Sequence, residues 1–496
     1  MIAKFCVAIV SVVCLLLSMS VKAQDAPDIL FISIDDLNDW VGVLGGHPHS
    51  RTPNIDALAA RGMLFANAHA VSAACLPSRT ATLTGLSPFT TGIYDQGGGD
   101  WRENATTRDA ITIPAFFRQN QYLTLGAGKL FHAATFGGEF AFEGYNDRNA
   151  WDGYFPSLVR QLPDEVRPPP RQIPNGGQGS PRAEGNLDWH YTVTEDYAMG
   201  DGQVAHWVGQ QLEAESVGPR FIAAGIYRPH LPWYVPQEYL DMHPLADVVL
   251  PAYKEGDMDD VPSSALDGFN GLETATWFKE QGSETIREAV QGYLASISFA
   301  DAMVGEIIAA LDRSGQADNT IIVLWSDHGF HLGEKDRWRK MTVWEESIRV
   351  PLIVVAPGVT TAGSVSTEAV SLLDIYPTLV ELAGLESSQR LDGQSLVPLL
   401  KDPERSWDSV AISTYGLNFT VRDDRFRYIV YEDGQEELYD HVSDPNEWNN
   451  LANSLQYAAR KAELAARLPP PEERAMPIVT PIPAGVMIGR GAGPGR

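Results

Sequence analysis

One cysteine stands among residues that could take part in chemistry. Of the three cysteines, two lie in an apolar leader, and the third begins the segment Cys75-Leu76-Pro77-Ser78-Arg79. A single thiol in an exported chain cannot form an internal disulfide, so it is either buried and inert or chemically active. Pro77 is placed to begin a helix, which would leave Cys75 at the positive end of the helix dipole. Arg79, one turn further on, adds a cation for an oxyanion.

Two acidic groups far apart in the sequence could hold a divalent cation. Asp35 and Asp36 follow one apolar stretch, and Asp327 and His328 follow another. Three carboxylates and an imidazole suit a hard cation such as Ca²⁺ or Mg²⁺, although histidine is a less usual ligand of calcium. Paired aspartates are also common turn residues after strands, so each pair alone indicates little.

Further cations and acid–base groups stand in three short segments. These are Gly128-Lys129-Leu130-Phe131-His132, Arg228-Pro229-His230 and Trp338-Arg339-Lys340. Each is a weak signal alone, because an exposed lysine is usually solvated and a histidine is more often structural.

Alternating apolar strands and helices would have to position these groups. The strands are predicted at Asp28–Ile34, Arg220–Ile226, Asn319–Ser326 and Val350–Ala356. A helix should open at a capping Thr52 and close at Gly62, and a long helix should run from a capping Ser283 to Ser314. This alternation predicts a mostly parallel sheet with helices on both faces. Polar residues directly follow three of the strands, so they could meet in one crevice at the carboxyl edge of the sheet.

The chain divides into four predicted segments. They are a signal peptide (1–23), a large domain (24–400), a small α+β subdomain (401–468) and a Pro/Gly-rich tail (469–496). The small subdomain should contain four short antiparallel strands, with a hairpin turn at Glu432-Asp433-Gly434, and a helix near Leu455 to Leu468. Arg167 to Pro181 is rich in proline and glycine and is predicted to be a surface excursion.

Composition excludes some classes of partner. The chain carries 37 Lys and Arg against 64 Asp and Glu, a net charge of −27. This balance argues against binding of nucleic acid and against polybasic attachment to a membrane. The apolar stretch of the leader is too short for a comfortable membrane span, so no stable membrane insertion is expected. We expect a periplasmic or secreted protein cleaved after Ala23, and the sequence carries no indication of oligomeric state.

The segment Cys75-Leu76-Pro77-Ser78-Arg79 resembles the C-x-P-S-R signature of type I sulfatases, and Leu83-Thr84-Gly85 matches the extended signature. The resemblance runs from Asp28 to about Ala452 and is strongest to the iduronate-2-sulfatase-like branch. The other matching segments include Ile34-Asp35-Asp36-Leu37, Thr52-Pro53-Asn54-Ile55-Asp56, Asp100-Trp101-Arg102, Pro229-His230-Leu231-Pro232, Ser326-Asp327-His328-Gly329 and Leu438-Tyr439-Asp440.

The resemblance implies a fold and a set of site residues. The fold would be α/β and alkaline-phosphatase-like, with a mostly parallel sheet sandwiched by helices and a small C-terminal α+β subdomain. Segment 24–400 would be the catalytic domain, and a maturation enzyme would convert Cys75 to Cα-formylglycine. Ca²⁺, or with less support Mg²⁺, would be bound by Asp35, Asp36, Asp327 and His328 together with the modified Cys75. Arg79 would hold the formylglycine, and the sulfate would be surrounded by Lys129, His132, His230 and Lys340, for which Arg339 and Lys335 are close competitors.

A formylglycine hydrate supplies the mechanistic hypothesis. One hydroxyl would attack sulfur in line, the alcohol would leave with a proton, and the second hydroxyl would then expel sulfate. His230 is the first choice as general acid and His132 the alternative. An unmodified thiol would leave a thiosulfate-like adduct with no easy exit.

The resemblance implies a sulfatase, and we expect it to act from the chain end of sulfated oligosaccharides, with a 2-O-sulfated uronate or a similar group as substrate. The alternatives are a phosphate or phosphonate monoester hydrolase of the same superfamily, a sulfatase of choline sulfate or another small ester, and an inactive protein that binds sulfated glycans. The candidate substrate contacts are Trp101, Arg102 and His331, followed by His47, His49, Gln96, Phe330, Trp338 and Tyr415.

Overall fold

The computed structural model describes residues 26–136, 141–168, 187–192, 194–266 and 271–477. The predicted signal peptide, most of the predicted surface excursion and the part of the predicted tail from residue 478 onward lie outside the described residues.

The described strands and helices alternate along the chain. In chain order the strands are β1 (Asp28–Ile34), β2 (Met63–Phe65), β3 (Ala68–His69), β4 (Leu123–Gly128), β5 (Ala133–Phe136), β6 (Ala141–Gly144), β7 (Gly153–Phe155), β8 (Trp189–Thr192), β9 (Arg220–Ile226), β10 (Trp233–Pro236), β11 (Thr320–Ser326), β12 (His331–Leu332), β13 (Trp338–Arg339), β14 (Leu352–Val355), β15 (Ser364–Ser366), β16 (Val370–Ser371), β17 (Ala411–Tyr415), β18 (Asn418–Arg422), β19 (Phe426–Val430) and β20 (Glu436–Asp440). The α-helices are α1 (Pro53–Arg61), α2 (Cys75–Thr84), α3 (Pro88–Thr91), α4 (Ile113–Gln119), α5 (Gly200–Glu213), α6 (Gln237–Asp241), α7 (Ser263–Leu266), α8 (Gly271–Gln281), α9 (Ser283–Ser314), α10 (Glu345–Ile348), α11 (Ile375–Leu382), α12 (Val397–Lys401) and α13 (Ala458–Ala465).

An eight-stranded sheet forms the centre of the fold, in the order β15-β2-β14-β11-β1-β9-β4-β7. Strands β11, β1, β9, β4 and β7 are parallel neighbours, which confirms the mostly parallel sheet. Strand β14 runs antiparallel to both β11 and β2, so the sheet is mixed. The apolar run of β14 is like those of the parallel strands of the sheet, because all of them are buried on both faces.

The sheet separates two apolar cores. Within β1, Leu30 and Ile32 point into the core that is covered by α1, α5 and α9. Ile29 and Phe31 point into the opposite core, beneath α2, α4 and α11. The alternation along one fully buried strand therefore places helices on both faces of the sheet, as predicted.

One predicted helix cap is wrong, and the other has the predicted position without a side-chain capping hydrogen bond. Thr52 precedes α1 but makes no capping hydrogen bond, and the amides of Asn54 and Ile55 donate instead to Asp301 Oδ1 at 3.1 and 2.8 Å. Ser283 is the first residue of α9, and Gly282 occupies the cap position. The cap of α1 thus comes from a side chain of α9 that is remote in the sequence, which a local pattern cannot reveal.

The C-terminal strands β17 to β20 form a four-stranded antiparallel sheet. The predicted hairpin turn lies between β19 and β20, where Gly434 has a φ of 83° and its amide donates to Tyr431 O. Helix α13 is shorter than expected, because Leu455–Tyr457 forms a 3-10 turn before it. The domain boundaries themselves stay predictions.

Helix α9 is the one helix among the described residues that is long and apolar enough to cross a membrane. Most of its apolar stretch is buried in the core beside β1.

Candidate active site

Four strand ends meet at one edge of the central sheet. Ile34 of β1 lies beside Ser326 of β11 and Ile226 of β9 in the parallel register. Gly128 of β4 lies beside Gly225 of β9. The residues that directly follow these ends are Asp35 and Asp36, Lys129, Tyr227 to His230, and Asp327 and His328. The register of the sheet therefore brings polar groups from distant parts of the chain together.

Two glycines allow the ends of β4 and β9 to approach closely. Gly128 has a φ of +74°, and a Cβ there would lie 2.0 Å from Gly225 O. A Cβ on Gly225 would lie 2.3 Å from the carbonyl carbon of Lys129. The Lys129 amide donates to Gly225 O at 3.0 Å. This contact directs the chain of Lys129 into the strand-end crevice.

Cys75 is the first residue of α2, so the helix begins two residues before Pro77. All ten residues of the helix are buried. The amide of Leu76 donates to Gln96 Oε1 at 3.2 Å, which satisfies one of the free amides of the first turn. The thiol therefore lies at a buried helix N-terminus, as the sequence predicts.

The Cys75 sulfur is surrounded by charged groups from the strand ends. Sγ lies 3.1 Å from Lys340 Nζ and 3.2 Å from His328 Nε2. It lies 3.7 Å from Asp35 Oδ1 and 3.8 Å from Lys129 Nζ. Burial would raise the pKa of the Cys75 thiol, but Lys129, Lys340 and His328 outweigh it and hold that pKa well below its usual value. The position stabilises an anion.

The two aspartates after β1 are each paired with a lysine. Lys129 Nζ contacts Asp35 Oδ2, and Lys340 Nζ lies 2.6 Å from Asp36 Oδ1. Burial raises the pKa of Asp35, but the Lys129 charge outweighs it and the pKa is lowered. Asp36 has a φ of 61°, which is uncommon for a residue with a side chain and turns its carboxylate toward Lys340. Both carboxylates are thus held in place inside the protein.

The donor set fits a hard divalent cation. Asp35, Cys75, Asp327 and His328 are all buried, and each offers one ligand atom within 4.8 Å of the others. Asp36 adjoins this group, since its Oδ1 lies 3.3 Å from His328 Nε2. Carboxylate oxygens with one imidazole are ligands that such an ion accepts.

Arg79 lies beneath this cluster and is fully buried. Its Nε donates to Asp327 Oδ2 at 2.7 Å, and its Nη2 lies 3.3 Å from Asp35 Oδ1. Its Nη1 donates to the carbonyl oxygens of Lys129 and Leu130 at 2.9 and 2.8 Å. The structure therefore shows Arg79 binding the ends of β1, β4 and β11 together, while its expected contact with the modified residue stays a prediction.

The structure places Lys340, and not Lys335, at the cysteine. Lys335 Nζ lies 3.2 Å from Asp257 Oδ1 and also donates to Glu447 O, and its side chain is buried against Trp344. Both lysines stand in a segment with several positive φ angles, so spacing alone cannot tell which one points to the site.

His230 follows β9 and faces Asp36. Its Nδ1 lies 2.7 Å from Leu231 O, and its Nε2 lies 4.0 Å from Asp36 Oδ2. Because a carbonyl oxygen accepts only, Nδ1 carries a proton, and Nε2 holds the proton that the ring gains or loses. The side chain is 23% exposed, so this nitrogen can exchange protons at the mouth of the site.

His132 also contacts Cys75. Burial lowers the pKa of His132, and a hydrogen bond to Cys75 opposes that shift without cancelling it. Its Nδ1 is buried and has no hydrogen-bond partner among the described residues. His132 is therefore a second acid–base candidate in contact with position 75.

The three first candidates for substrate contact differ in accessibility. Trp101 is 3% exposed, and its indole nitrogen donates to Tyr145 O at 2.7 Å. His331 is fully buried and pairs with Thr342 Oγ1 at 2.7 Å. Arg102 has a side chain 31% exposed and is held by Asp100. Trp101 and His331 thus have buried structural contacts, whereas the side chain of Arg102 is partly exposed to solvent.

The further candidates also have structural contacts. Trp338 is buried and stacks on Phe278 with ring centroids 3.8 Å apart. His47 Nε2 lies 3.0 Å from Val249 O, and Gln96 holds the first turn of α2. The expected substrate contacts of these residues stay predictions.

Sequence reasoning missed the buried residues that hold the strand-end turns. Asp201 accepts from the amides of Tyr227 and Arg228 at 2.6 and 2.9 Å. Gln161 accepts from two amides of the turn after β4. No signal in the sequence marks them, because their partners are backbone groups remote along the chain.

A second group with metal-ligand spacing contains Glu345, His441 and Glu447. The guanidinium of Arg427 lies among these side chains, with Nε 2.6 Å from Glu447 Oε1 and Nη2 on Glu345 Oε2. Because Arg427 belongs to β19 and Glu345 to α10, this group is an ion network that fastens the C-terminal sheet.

Comparison with known proteins agrees with this geometry. A family model described as Sulfatase matches residues 27–385, and one described as N-sulphoglucosamine sulphohydrolase, C-terminal, matches residues 333–473. A protein named Sulfatase from Formosa agariphila is 38% identical over 463 residues, which cover 90% of this chain and 87% of that protein. Human iduronate 2-sulfatase is 30% identical over 428 residues, which cover 77% of this chain and 74% of that protein. Choline-sulfatase from Rhizobium meliloti is 28% identical and covers 89% of this chain and 85% of its own length.

Solved structures share the fold. Phosphonate monoester hydrolase of Agrobacterium radiobacter superposes with a TM-score of 0.70 at 24% identity, over 89% of this chain and 94% of that one. A structure described as a 2-O GAG sulfatase gives a TM-score of 0.68 at 22% identity, over 89% and 90% of the two chains. These likenesses confirm the predicted fold class.

Proposed function

The chain belongs to the sulfatase family and is a sulfuric ester hydrolase, and from that premise we propose that it removes sulfate from sulfated saccharides with a formylglycine made from Cys75. The observation that carries this proposal is the position of Cys75 Sγ, which lies within 3.8 Å of side-chain atoms of Lys340, His328, Asp35 and Lys129. A group placed there would be close to cations that bind sulfate and to carboxylates that bind a metal.

Formylglycine fits this position. As formylglycine, residue 75 would supply an oxygen nucleophile in place of sulfur. Burial raises the pKa of the Cys75 thiol, but Lys129 and Lys340 lower it by more. The same two charges would stabilise an oxygen anion at this position. A formylglycine-generating maturation enzyme would be the required partner.

The two lysines have a further role in binding the ester. Lys129 and Lys340 would each donate to a sulfate oxygen and neutralise the charge that gathers in the transition state. Their present contacts with Asp35 and Asp36 hold both ammonium groups in the pocket before the substrate arrives. Loss of one such donor costs on the order of 2.7–4 kcal/mol in known enzymes.

His230 is our first choice for the group that protonates the leaving alcohol. Its Nδ1–H is held by Leu231 O, so the proton on Nε2 is the one available for transfer. This Nε2 faces Asp36 Oδ2 at 4.0 Å. His132 is the alternative, because it also contacts Cys75.

A divalent cation belongs to the proposal. Asp35, Asp36, Asp327 and His328 would hold it, together with residue 75. When bound, the ion would add positive charge beside the sulfate oxygens. We propose Ca²⁺ ahead of Mg²⁺, as the resemblance to type I sulfatases implies. Arg79 would keep Asp327 in place for that ion.

For the substrate we propose a sulfated oligosaccharide attacked at its end, with a 2-O-sulfated uronate as the first choice. The 30% identity with human iduronate 2-sulfatase supports a place in that branch of the family. Arg102, which is partly exposed, could pair with a uronate carboxylate. The relative named choline-sulfatase, 28% identical, supports a small sulfate ester as the second candidate.

Location stays part of the proposal. The charged and apolar parts of segment 1–23 support export to the periplasm or the medium, with cleavage after Ala23. Mass spectrometry of the mature N-terminus, from the host in which the protein occurs, tests this.

A substrate screen tests the proposed function. The mature protein from a host that makes formylglycine is offered 2-O-, 3-O-, 4-O- and 6-O-sulfated saccharides, choline sulfate, an aryl sulfate and the matching aryl phosphate. We expect sulfate release from the 2-O-sulfated uronate with the highest kcat/KM. Preference for choline sulfate would replace the saccharide proposal, and preference for the aryl phosphate would contradict both.

A further inference from the structure

Two peptide units after β4 are bound on their carbonyl side by Arg79. Its Nη1 donates to Lys129 O at 2.9 Å and to Leu130 O at 2.8 Å. These carbonyls belong to the turn that leads from Lys129, which we propose to bind the sulfate, to His132, the alternative general acid.

The amide side of the same two peptide units is bound by Gln161. Its Oε1 accepts from the amide of Leu130 at 3.2 Å and from that of Phe131 at 3.0 Å. Lys129 O and the Leu130 amide share one peptide plane, and Leu130 O and the Phe131 amide share the next. Arg79 and Gln161 therefore form hydrogen bonds to opposite edges of both planes. The planes cannot rotate without breaking hydrogen bonds to one of the two side chains.

Gln161 lies in the protein interior. It is fully buried, and the Tyr154 hydroxyl, which donates to Gly128 O at 2.5 Å, lies 3.4 Å from Oε1. Gly144 leaves room for the amide, because a Cβ there would lie 1.8 Å from Nε2. Within the described part of the chain Nε2 has no hydrogen-bond partner.

The side chain of Gln161 is uncharged, and a comparison with glutamate shows why this matters. A glutamate would accept the same two amide protons and would leave no buried amide nitrogen unpaired. Its charge, however, would lie one peptide away from Lys129 and near Arg79, where it would weaken the attraction of the pocket for an anion. A neutral acceptor fixes the turn and leaves the positive charge for the ligand.

We propose that Gln161 is a positioning residue that sets Lys129 and His132 for the sulfate, and that its lack of charge preserves the affinity of the pocket for anions. The inference rests on the roles proposed above for Lys129 and His132. It assigns Gln161 no contact with the substrate, since the residue acts through the backbone of the turn.

Two substitutions separate the two parts of the inference. Gln161→Met keeps the length of the side chain and removes the acceptor, so we expect kcat on an aryl sulfate to fall about 100-fold through misplacement of the turn. Gln161→Glu restores the acceptor, so kcat should recover to within about tenfold of wild type. In Gln161→Glu the KM and the inhibition constant of inorganic sulfate should rise about tenfold, an effect of ~1.4 kcal/mol.

Tyr154→Phe is the matched control. It removes one buried hydrogen bond beside Gln161 and leaves both amides of the turn bound, so it measures general loosening. Thermal unfolding of all three variants is followed in parallel. A kcat for Gln161→Met no lower than that of Tyr154→Phe overturns the positioning role. If Gln161→Met does not fold, Gln161→Glu decides: a 100-fold loss of kcat contradicts the positioning role, and unchanged sulfate inhibition contradicts the role of charge.

A failure of the proposed function is distinguishable from a failure of this inference. If the wild-type protein hydrolysed no sulfate ester, the proposed function would be wrong. The inference would then be decided by calorimetry with inorganic sulfate: a dissociation constant about tenfold higher for Gln161→Glu supports it, and equal constants overturn it.

Discussion

Arg79 Nε donates to Asp327 Oδ2 over 2.7 Å, and neither side chain has any exposed surface. The pair joins the second turn of α2 to the end of β11, so the cysteine and the metal-ligand cluster are parts of one buried polar assembly. Burial would lower the pKa of Arg79, but Asp327 and Asp35 outweigh it and raise the pKa, so the guanidinium stays charged.

Replacement of Arg79 by lysine should lower both activity and stability. Arg79→Lys keeps the positive charge but cannot reach Asp327 and both turn carbonyls at once, because an ammonium lacks the planar fork of the guanidinium. We expect kcat on an aryl sulfate to fall about 100-fold and the free energy of unfolding to drop by about 1–3 kcal/mol. The control is Arg118→Lys, which alters an exposed pair with Asp152 and should change either quantity very little. Equal losses in both variants would contradict the role of Arg79.

Substitution of Lys340 should chiefly affect kinetics, whereas substitution of Lys335 should chiefly affect stability. Lys340→Ala removes a cation 3.1 Å from Cys75 Sγ and should lower kcat/KM about 100- to 1,000-fold. Lys335→Ala leaves Asp257 unpaired and should chiefly lower the melting temperature, with KM near that of wild type. Steady-state kinetics and calorimetry of both variants check this. A larger kinetic loss for Lys335→Ala would reassign the sulfate-binding lysine.

The Cys75 peptide should carry the aldehyde form in active material. Mass spectrometry of the digested protein from an aerobic host with the maturation enzyme measures this directly. Cys75→Ala should abolish turnover and leave the melting temperature close to that of wild type, since only one atom of a well-packed side chain is lost. Unmodified thiol as the sole species in active protein, or turnover by Cys75→Ala, would contradict the mechanism.

Removal of the divalent cation should lower both activity and stability. Chelator treatment should abolish turnover, and Ca²⁺ should restore it better than Mg²⁺. At a Ca²⁺ concentration of 100 times its Kd, the folded state should gain about 2.7 kcal/mol. Asp36→Asn should weaken Ca²⁺ binding, measured by calorimetry, whereas Glu447→Gln should not, because Arg427 occupies that second cluster. Equal weakening in both variants would place the ion elsewhere.

His331 should make the fold sensitive to acid. Burial, with the nearby Arg337, lowers the pKa of His331 to about 3, while Glu447 acts in the opposite direction. The folded state therefore prefers the neutral ring: its contribution to stability is complete above the unfolded pKa near 6.5 and is lost as the pH falls toward 3. His331→Gln retains a partner for Thr342 but does not titrate. Below pH 6.5 the wild-type free energy of unfolding should fall faster than that of the variant, by about 1.4 kcal/mol per pH unit.

Denaturant unfolding of both proteins between pH 4 and pH 8 measures this difference. Parallel curves would contradict the effect of His331, because acid titration of all other groups is common to both proteins. An unchanged KM for His331→Gln would agree with packing, whereas a strongly raised KM would return His331 to the substrate contacts.

The fold was predictable from the sequence where a local pattern determines it. Strands β1 and β9 have the predicted bounds, because short apolar runs that end in polar residues are strands buried on both faces. The direction of β14 was not predictable, since an antiparallel neighbour of β11 has the same apolar composition as a parallel one. The cap of α1 was missed because Asp301 approaches from another helix.

The residues of the candidate site were also predictable only in part. Asp35, Asp36, Asp327 and His328 could be grouped because each follows a strand, and strand ends of a parallel sheet share an edge. Lys340 was the predicted sulfate-binding lysine, but the sequence could not exclude Arg339 or Lys335, because the turn conformation decides which side chain reaches Cys75. Gln161 and Asp201 bind backbone amides, so their neighbours in sequence say nothing of their partners.

The complete burial of α2 bears on how its motif should be interpreted in other chains. Ser78 Oγ donates to Asp327 O at 2.6 Å, and Leu76 and Leu83 pack in the core beneath the sheet. Residues of the five-residue motif are therefore needed for folding as well as for reactivity. A descendant that lost its activity through changes at Lys129 or Lys340 would still need most of these residues to fold. A census of genomes based on the motif alone would thus count pseudoenzymes along with enzymes, and the two lysines are the positions that would tell them apart.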